Sequence, residues 1–115
     1  MKEQITEVSV FPLSIPRDEP YLGSLEKGNK ANAKGYFVRP GNKSIYSIHD
    51  HSVLVKITTR SGHVGLGECV AFYVPEVVTS IINELIGPLL IGQSPHDVVK
   101  IYEDLYDAMR VRGFF

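Results

Sequence analysis

The sequence predicts an α+β domain, with a three-stranded antiparallel sheet followed by a helical layer. Three observations carry that expectation. Ser52–Arg60 alternates cleanly and, across Ser61-Gly62, meets a second strand pattern over His63–Val70. A further strand pattern opens the chain at Ile5. From Pro75 onward the apolar residues recur every three or four positions instead of every two. Strands first and helices after is the order of an α+β domain.

The first strand spans Ile5 to about Pro12 or Pro16, where proline cannot donate to a central ladder. Its alternation is irregular between Ile5 and Val8 and then regular, with Val8, Val10, Leu13 and Ile15 as its apolar set. A polar stretch from Arg17 to about Asp50 follows, rich in Gly, Pro and Asn yet carrying Tyr21, Tyr36, Phe37 and Tyr46. Such length without structure inside a domain is uncommon, and disorder does not account for the aromatics. The stretch reads as a mobile loop that orders against something, with a short hairpin around Tyr36 to Tyr46.

In the second strand Val53, Val55, Ile57 and Thr59 share one face, and Leu54, Lys56, Thr58 and Arg60 the other. Gly62 suits the positive φ of a tight turn. The three strands leave one apolar face to cover. Pro75 and Glu76 open the first helix, which buries Val77, Val78, Ile81, Ile82, Leu85 and Ile86 and stops at Gly87-Pro88. Ser94-Pro95-His96-Asp97 opens the second, with Ser94 as N-cap. Its stripe is Val98, Tyr102, Leu105, Tyr106 and Met109, with Arg110 and Arg112 at the negative end of the helix dipole and Gly113 at the cap.

Composition narrows the function. Apolar residues make up 43% and charged residues 22%, an ordinary globular balance. A net charge of −1 with no basic cluster excludes a nucleic-acid or anionic-membrane surface. No stretch is long and apolar enough to span a membrane, and the opening Met1-Lys2-Glu3-Gln4 is not a signal peptide. The lone Cys69 forms no intramolecular disulfide and fits a reducing compartment, so a cytoplasmic location is expected.

The chemistry-bearing types do not assemble into an engine. Gly65-x-Gly67 lies inside a strand and lacks the third glycine of a phosphate loop, so close approach of another backbone is the preferred reading. Glu68 reads as a hydrogen-bonded structural carboxylate. His49 and His51 share a face of an extended strand, but a metal site needs more ligands than two. Cys69 reads as a small apolar group of the sheet, and Tyr102 and Tyr106 as core. No nucleophile, base and orienting group come together.

Taken in order, Ile15-Pro16, Val53-Leu54-Val55-Lys56-Ile57-Thr58-Thr59, Ser61-Gly62, Val64-Gly65, Gly67-Glu68-Cys69, Tyr73-x-Pro75-Glu76, Gly87-Pro88-Leu89-Leu90-Ile91-Gly92, Ser94-Pro95 and Met109-Arg110-x-Arg112-Gly113 resemble a known family. It is the N-terminal capping domain of the mandelate racemase and muconate lactonizing enzyme branch of the enolase superfamily. The resemblance implies an enolase N-terminal domain-like fold over residues 1–115. It also implies a complete enzyme in which this cap covers a barrel holding Mg2+ and the bases that abstract the proton α to a carboxylate. The barrel and every metal ligand fall outside these residues, so this chain is expected to hold no cofactor and to be inactive alone. The end at Phe114-Phe115 suggests a truncation or an interrupted reading frame.

The implied partner is a small carboxylic acid, and the complete enzyme is expected to be a homo-oligomer. The loop around Arg17–Gly23 resembles the family's lid, with Tyr21 as candidate substrate contact. The loop Ala71–Pro75 resembles the second cap loop, with Phe72 and Tyr73 as candidates. The long polar first loop favours an acid-sugar dehydratase over a racemase or cycloisomerase. The alternative from another class is a stand-alone α+β module that binds a partner or dimerises through the uncovered face.

Overall fold

The computed structural model of the protein describes residues 2–113. Phe114 and Phe115, on which the expected truncation rests, lie outside the described residues. The elements are β1 (Ile5–Pro16), β2 (Tyr36–Val38), β3 (Ile45–Ser47), β4 (His49–Thr59), β5 (Val64–Val70), α1 (Pro75–Ile81), a π-helical turn (Ile82–Ile86), α2 (Gly87–Leu90) and α3 (Val98–Met109). β1, β4 and β5 form an antiparallel sheet in that order, and β2 and β3 form a separate hairpin. The α+β class, the three-stranded sheet and the hairpin within the long loop are as expected.

The irregular spacing at the start of β1 is a β-bulge. Ile5 pairs with Thr59, the register then slips, and Val8 pairs with Ile57. One extra residue returns Ile5 and Val8 to the same face, and Ile5 is buried. Beyond Val8 the register runs unbroken to Pro16. Val8 and Val10 therefore face the helices, whereas Phe11, Leu13 and Ile15 face the other side. The single apolar set expected for β1 is divided between two faces, because side chains alternate and no second bulge intervenes.

Val53 is fully buried and packs with Ala71 and Ile82, and Val8, Val10, Val55, Cys69 and Val78 surround them. Cys69 is thus a small apolar group of the sheet carrying a free thiol. The helical layer lies chiefly on β1 and β4. Two corrections follow. A Cβ on Gly65 or Gly67 meets nothing within 4 Å, so no backbone approaches them. The opposite face of the sheet is apolar too, with Phe11, Leu54, Leu66 and Val70 exposed, so the strands carry two apolar faces and not one.

Pro75 and Glu76 open α1 as expected. The helix buries Ile82 and half-buries Val78, but Val77 and Leu85 stay exposed. It does not stop at Gly87-Pro88. The Gly87 N–H donates to the Ile82 carbonyl five residues back, and helical backbone continues to Leu90. The wider π turn absorbs the break made by proline's missing N–H. Gly87 is needed there for space: a Cβ would lie 2.9 Å from the Ile82 carbonyl oxygen and 3.7 Å from Val8 Cβ.

Ser94 is not the cap of α3. Its Oγ accepts the His96 N–H at 3.2 Å and its carbonyl accepts the Asp97 N–H at 3.1 Å, closing a separate turn. Asp97 has non-helical torsions (φ −85°, ψ 49°), so the helix starts at Val98. At the other end the Gly113 N–H reaches the Met109 carbonyl with φ 76°, as a helix-ending glycine does. Tyr102 and Tyr106 are 71% and 49% exposed, and so are not core. α3 leans away from the sheet and leaves an apolar groove of about 790 Å3 floored by Ile5, Ile57 and Gly65.

The result is an open shape. The radius of gyration is 18.0 Å, where a compact domain of this length has about 13 Å. The accessible surface is 8143 Å2, against about 6,300 Å2 for a free-standing monomer of this mass. No helix of the described residues is long and apolar enough to cross a membrane.

Candidate functional site

One end of the sheet gathers the end of β1, the start of β4 and the end of β5. The long connection after β1 and the short one after β5 both leave from that end, since antiparallel neighbours place every second loop on the same side. Between them lies a cleft of about 610 Å3. Tyr21 from the first connection and Phe72 and Tyr73 from the second all line it. All three rings are exposed. The structure thus brings the three candidate contacts, 51 and 52 positions apart in sequence, to one cavity.

The floor is polar. His49 and His51 share a face as strand periodicity requires, with ring centroids 5.8 Å apart. His51 Nδ1 lies 2.8 Å from Ser14 Oγ and Nε2 lies 2.9 Å from Ser47 Oγ. Ser47 Oγ also accepts the His49 N–H at 3.0 Å, which leaves its own proton for Nε2. Burial first, and then the neighbouring His49, hold the His51 imidazole below its ordinary value of 6.5, against the opposing pull of Glu76 and Asp50. A ring with both nitrogens engaged by hydroxyls is a positioning network. It is not a nucleophile–base pair, because no acid orients the second nitrogen and Ser47 is itself buried. Among the described residues no group of three or more His, Cys, Asp or Glu is arranged to hold a metal ion.

The rim carries paired charges. Arg17 Nη1 donates to Asp50 Oδ1 at 2.9 Å, and the guanidinium lies over the Tyr21 ring at 5.9 Å. Ser52 donates to Glu68, so this carboxylate is hydrogen-bonded, as expected. Tyr21 meets Tyr46 at 6.0 Å, and Tyr46 stacks on Phe37 at 6.0 Å.

Tyr36 joins the two connections. Its ring stacks on His51 at 5.7 Å and touches Tyr73 at 6.5 Å, and its hydroxyl accepts the Val74 N–H at 2.6 Å. Val74 has φ 45°, a left-handed conformation costly for a β-branched residue. It turns the chain sharply, with the exposed Tyr73 ring before it and Pro75 of α1 after it.

Sequence reasoning passed over Arg17, Tyr36, Tyr46 and Asp50 as site residues and weighed His49 and His51 only as metal ligands. The available signal was the aromatic content of the long loop. What it lacked was the pairing partners, which lie tens of residues away.

Comparison with known proteins agrees with this architecture. Residues 31–112 match the model of the mandelate racemase / muconate lactonizing enzyme N-terminal domain. A member of the enolase superfamily from Agrobacterium tumefaciens is 46% identical and superposes with a TM-score of 0.88, covering 99% of this chain and 29% of its own. A racemase from Streptomyces coelicolor with bound magnesium shares the fold at 15% identity and a TM-score of 0.66, over 95% of this chain and 26% of its own. A D-galactonate dehydratase family member from Paenibacillus sp. (strain JDR-2) is 38% identical over 63 residues, which is 54% of this chain and 14% of that protein. The chain therefore spans under a third of the length of the relatives it matches. From its fold and from the match over most of its length, the chain belongs to the mandelate racemase / muconate lactonizing enzyme N-terminal domain family.

Proposed function

We propose that the chain is the substrate-enclosing cap of a magnesium-dependent enzyme that abstracts the proton α to a carboxylate, and that the complete enzyme is an acid-sugar dehydratase. The observation that carries this reading is the cleft, where two connections from one end of the sheet present Tyr21, Phe72 and Tyr73 beside Ser47, Ser52, His49 and His51. Ser, Tyr and His edges match a hydroxylated chain better than an apolar one. The likeness to a D-galactonate dehydratase family member supports the same subclass. Among the described residues no three or more His, Cys, Asp or Glu are grouped to hold the metal. The chain encloses and selects, and the barrel reacts. Racemisation or cycloisomerisation by the same superfamily is the second reading. A small carboxylic-acid substrate, a homo-oligomeric enzyme and a cytoplasmic location belong to the same proposal.

The test grafts this chain in place of the N-terminal domain of the Agrobacterium relative and screens acid sugars with magnesium for 2-keto products. The chimera should dehydrate at least one monoacid sugar, while the 115-residue chain alone turns over none. Tyr21→Ala and Tyr73→Ala should each raise KM several-fold. Turnover by the isolated chain, or unchanged KM in both variants, refutes the reading.

A further inference from the structure

Tyr21 sits on a segment without helix or strand, yet its backbone is held at several points. The holder is Arg39, which follows β2 and is only 5% exposed. Its Nη2 donates to the carbonyl oxygens of Tyr21 at 2.6 Å and Gly23 at 2.5 Å. Its Nη1 donates to the Ser24 carbonyl at 3.0 Å and reaches both Glu26 carboxylate oxygens at 3.3 Å. The guanidinium lies over the Phe37 ring at 5.1 Å. Three carbonyls and one carboxylate converge on one planar fork, a geometry that a lysine's single nitrogen cannot reproduce.

We propose that Arg39 is the positioning residue of the lid, its buried fork locking the Tyr21–Glu26 backbone so that the Tyr21 ring stands preformed over the cleft. Nε of Arg39 is buried without an acceptor. A buried charge with one donor unsatisfied is weak evidence of a role in stability alone. The hairpin fixes the Arg39 backbone on both sides: its N–H donates to the Ser44 carbonyl at 3.0 Å and its carbonyl accepts the Lys43 N–H at 2.8 Å. A second latch follows the lid, where Asn29 Nδ2 donates to the Val38 carbonyl at 3.0 Å. What Tyr21 meets rests on the cap reading above, whereas the clamp itself does not.

The test is amide hydrogen exchange on the full chain. The Gly23 N–H, bonded to the Pro20 carbonyl at 2.9 Å, reports the lid, and Val53–Ile57 report the sheet. In the parent chain Gly23 should exchange at least tenfold more slowly than an unstructured peptide. Arg39→Gln and Arg39→Lys should each remove that protection and leave the strand amides unchanged. In the chimera described above, Arg39→Lys should raise KM with kcat retained. The proposal is overturned if Gly23 is unprotected in the parent chain, if Arg39→Lys keeps the protection, or if lid and strand amides accelerate together. The exchange readout stands even if the chimera has no activity, so failure of the cap reading and failure of the clamp are told apart.

Discussion

Replacing Val53 by alanine should destabilise the domain far more than replacing Leu66 by alanine, although leucine is the larger side chain. Val53 is fully buried at the centre of the sheet, against Ala71 and Ile82. Two carbon groups are removed there, at about 0.8 kcal/mol each, and the cavity left behind raises the cost to about 2–3 kcal/mol. Leu66 is 79% exposed on the opposite face of the edge strand. Three carbon groups lost there forfeit about a fifth of their full transfer value, about 0.5 kcal/mol, with no cavity term. An unfolding entropy of about 2.1 cal/mol/K per residue turns these figures into Tm losses of about 10 °C and about 2 °C. Differential scanning calorimetry of the two variants beside the parent chain decides the matter. Equal losses would refute the assignment of the two faces, since they would require Leu66 to be as deeply packed as Val53.

Gly35→Ala should disrupt the cleft floor, because φ is 92° and the new Cβ would lie 2.8 Å from His49 Nδ1; a loss of about 2 kcal/mol or more is expected, and a urea midpoint equal to that of Gly28→Ala, where the Cβ meets open space, would count against it. The His51 proton affinity is depressed in the folded chain, so the unfolded chain takes up the proton first. The stability His51 contributes is complete above pH 6.5 and is lost as pH falls through its folded value. Urea midpoints between pH 7.5 and 5 should therefore fall, His51→Gln should flatten that slope, and an identical slope in the variant would exclude His51 as its source. The exposed apolar face formed by Phe11, Leu54, Leu66 and Val70 should drive self-association of the isolated chain; light scattering should show mass rising with concentration, and a constant monomer mass would contradict the proposed uncovered face.

Much of this architecture is legible in the residue order. The alternation of Val53, Val55 and Ile57 specifies one face of β4, and the tight turn at Gly62 carries the positive φ, 91°, expected of it. Pro75 and Glu76 mark the start of α1. Even the misfit between Ile5 and Val8 was a real signal, since it is the bulge itself. Local rules read these features because the forces behind them act over a few residues. The same rules failed where two local preferences competed. Gly87-Pro88 is a helix breaker by propensity, but a π turn and the close approach to Val8 kept the backbone helical. Ser94 is a good cap by type, but its hydrogen bonds closed a turn ahead of the helix.

The site depended on distance in the chain. Tyr21, Phe72 and Tyr73 were nameable from the family resemblance, and the antiparallel order of the strands brings their loops to one end. The partners of those loops were not nameable. Arg39 meets the carbonyls of Tyr21 and Gly23 across 18 and 16 positions, and Tyr36 meets Val74 across 38. A guanidinium or a phenol in the sequence carries no mark of which distant carbonyl or amide it will satisfy. Periodicity, turn chemistry and ordered motifs determined the sheet, the helical layer and the family. Only the folded chain decided which aromatic ring joins the two loops, which arginine is buried and which of two apolar faces lies open, because those outcomes follow from contacts closed across the whole domain.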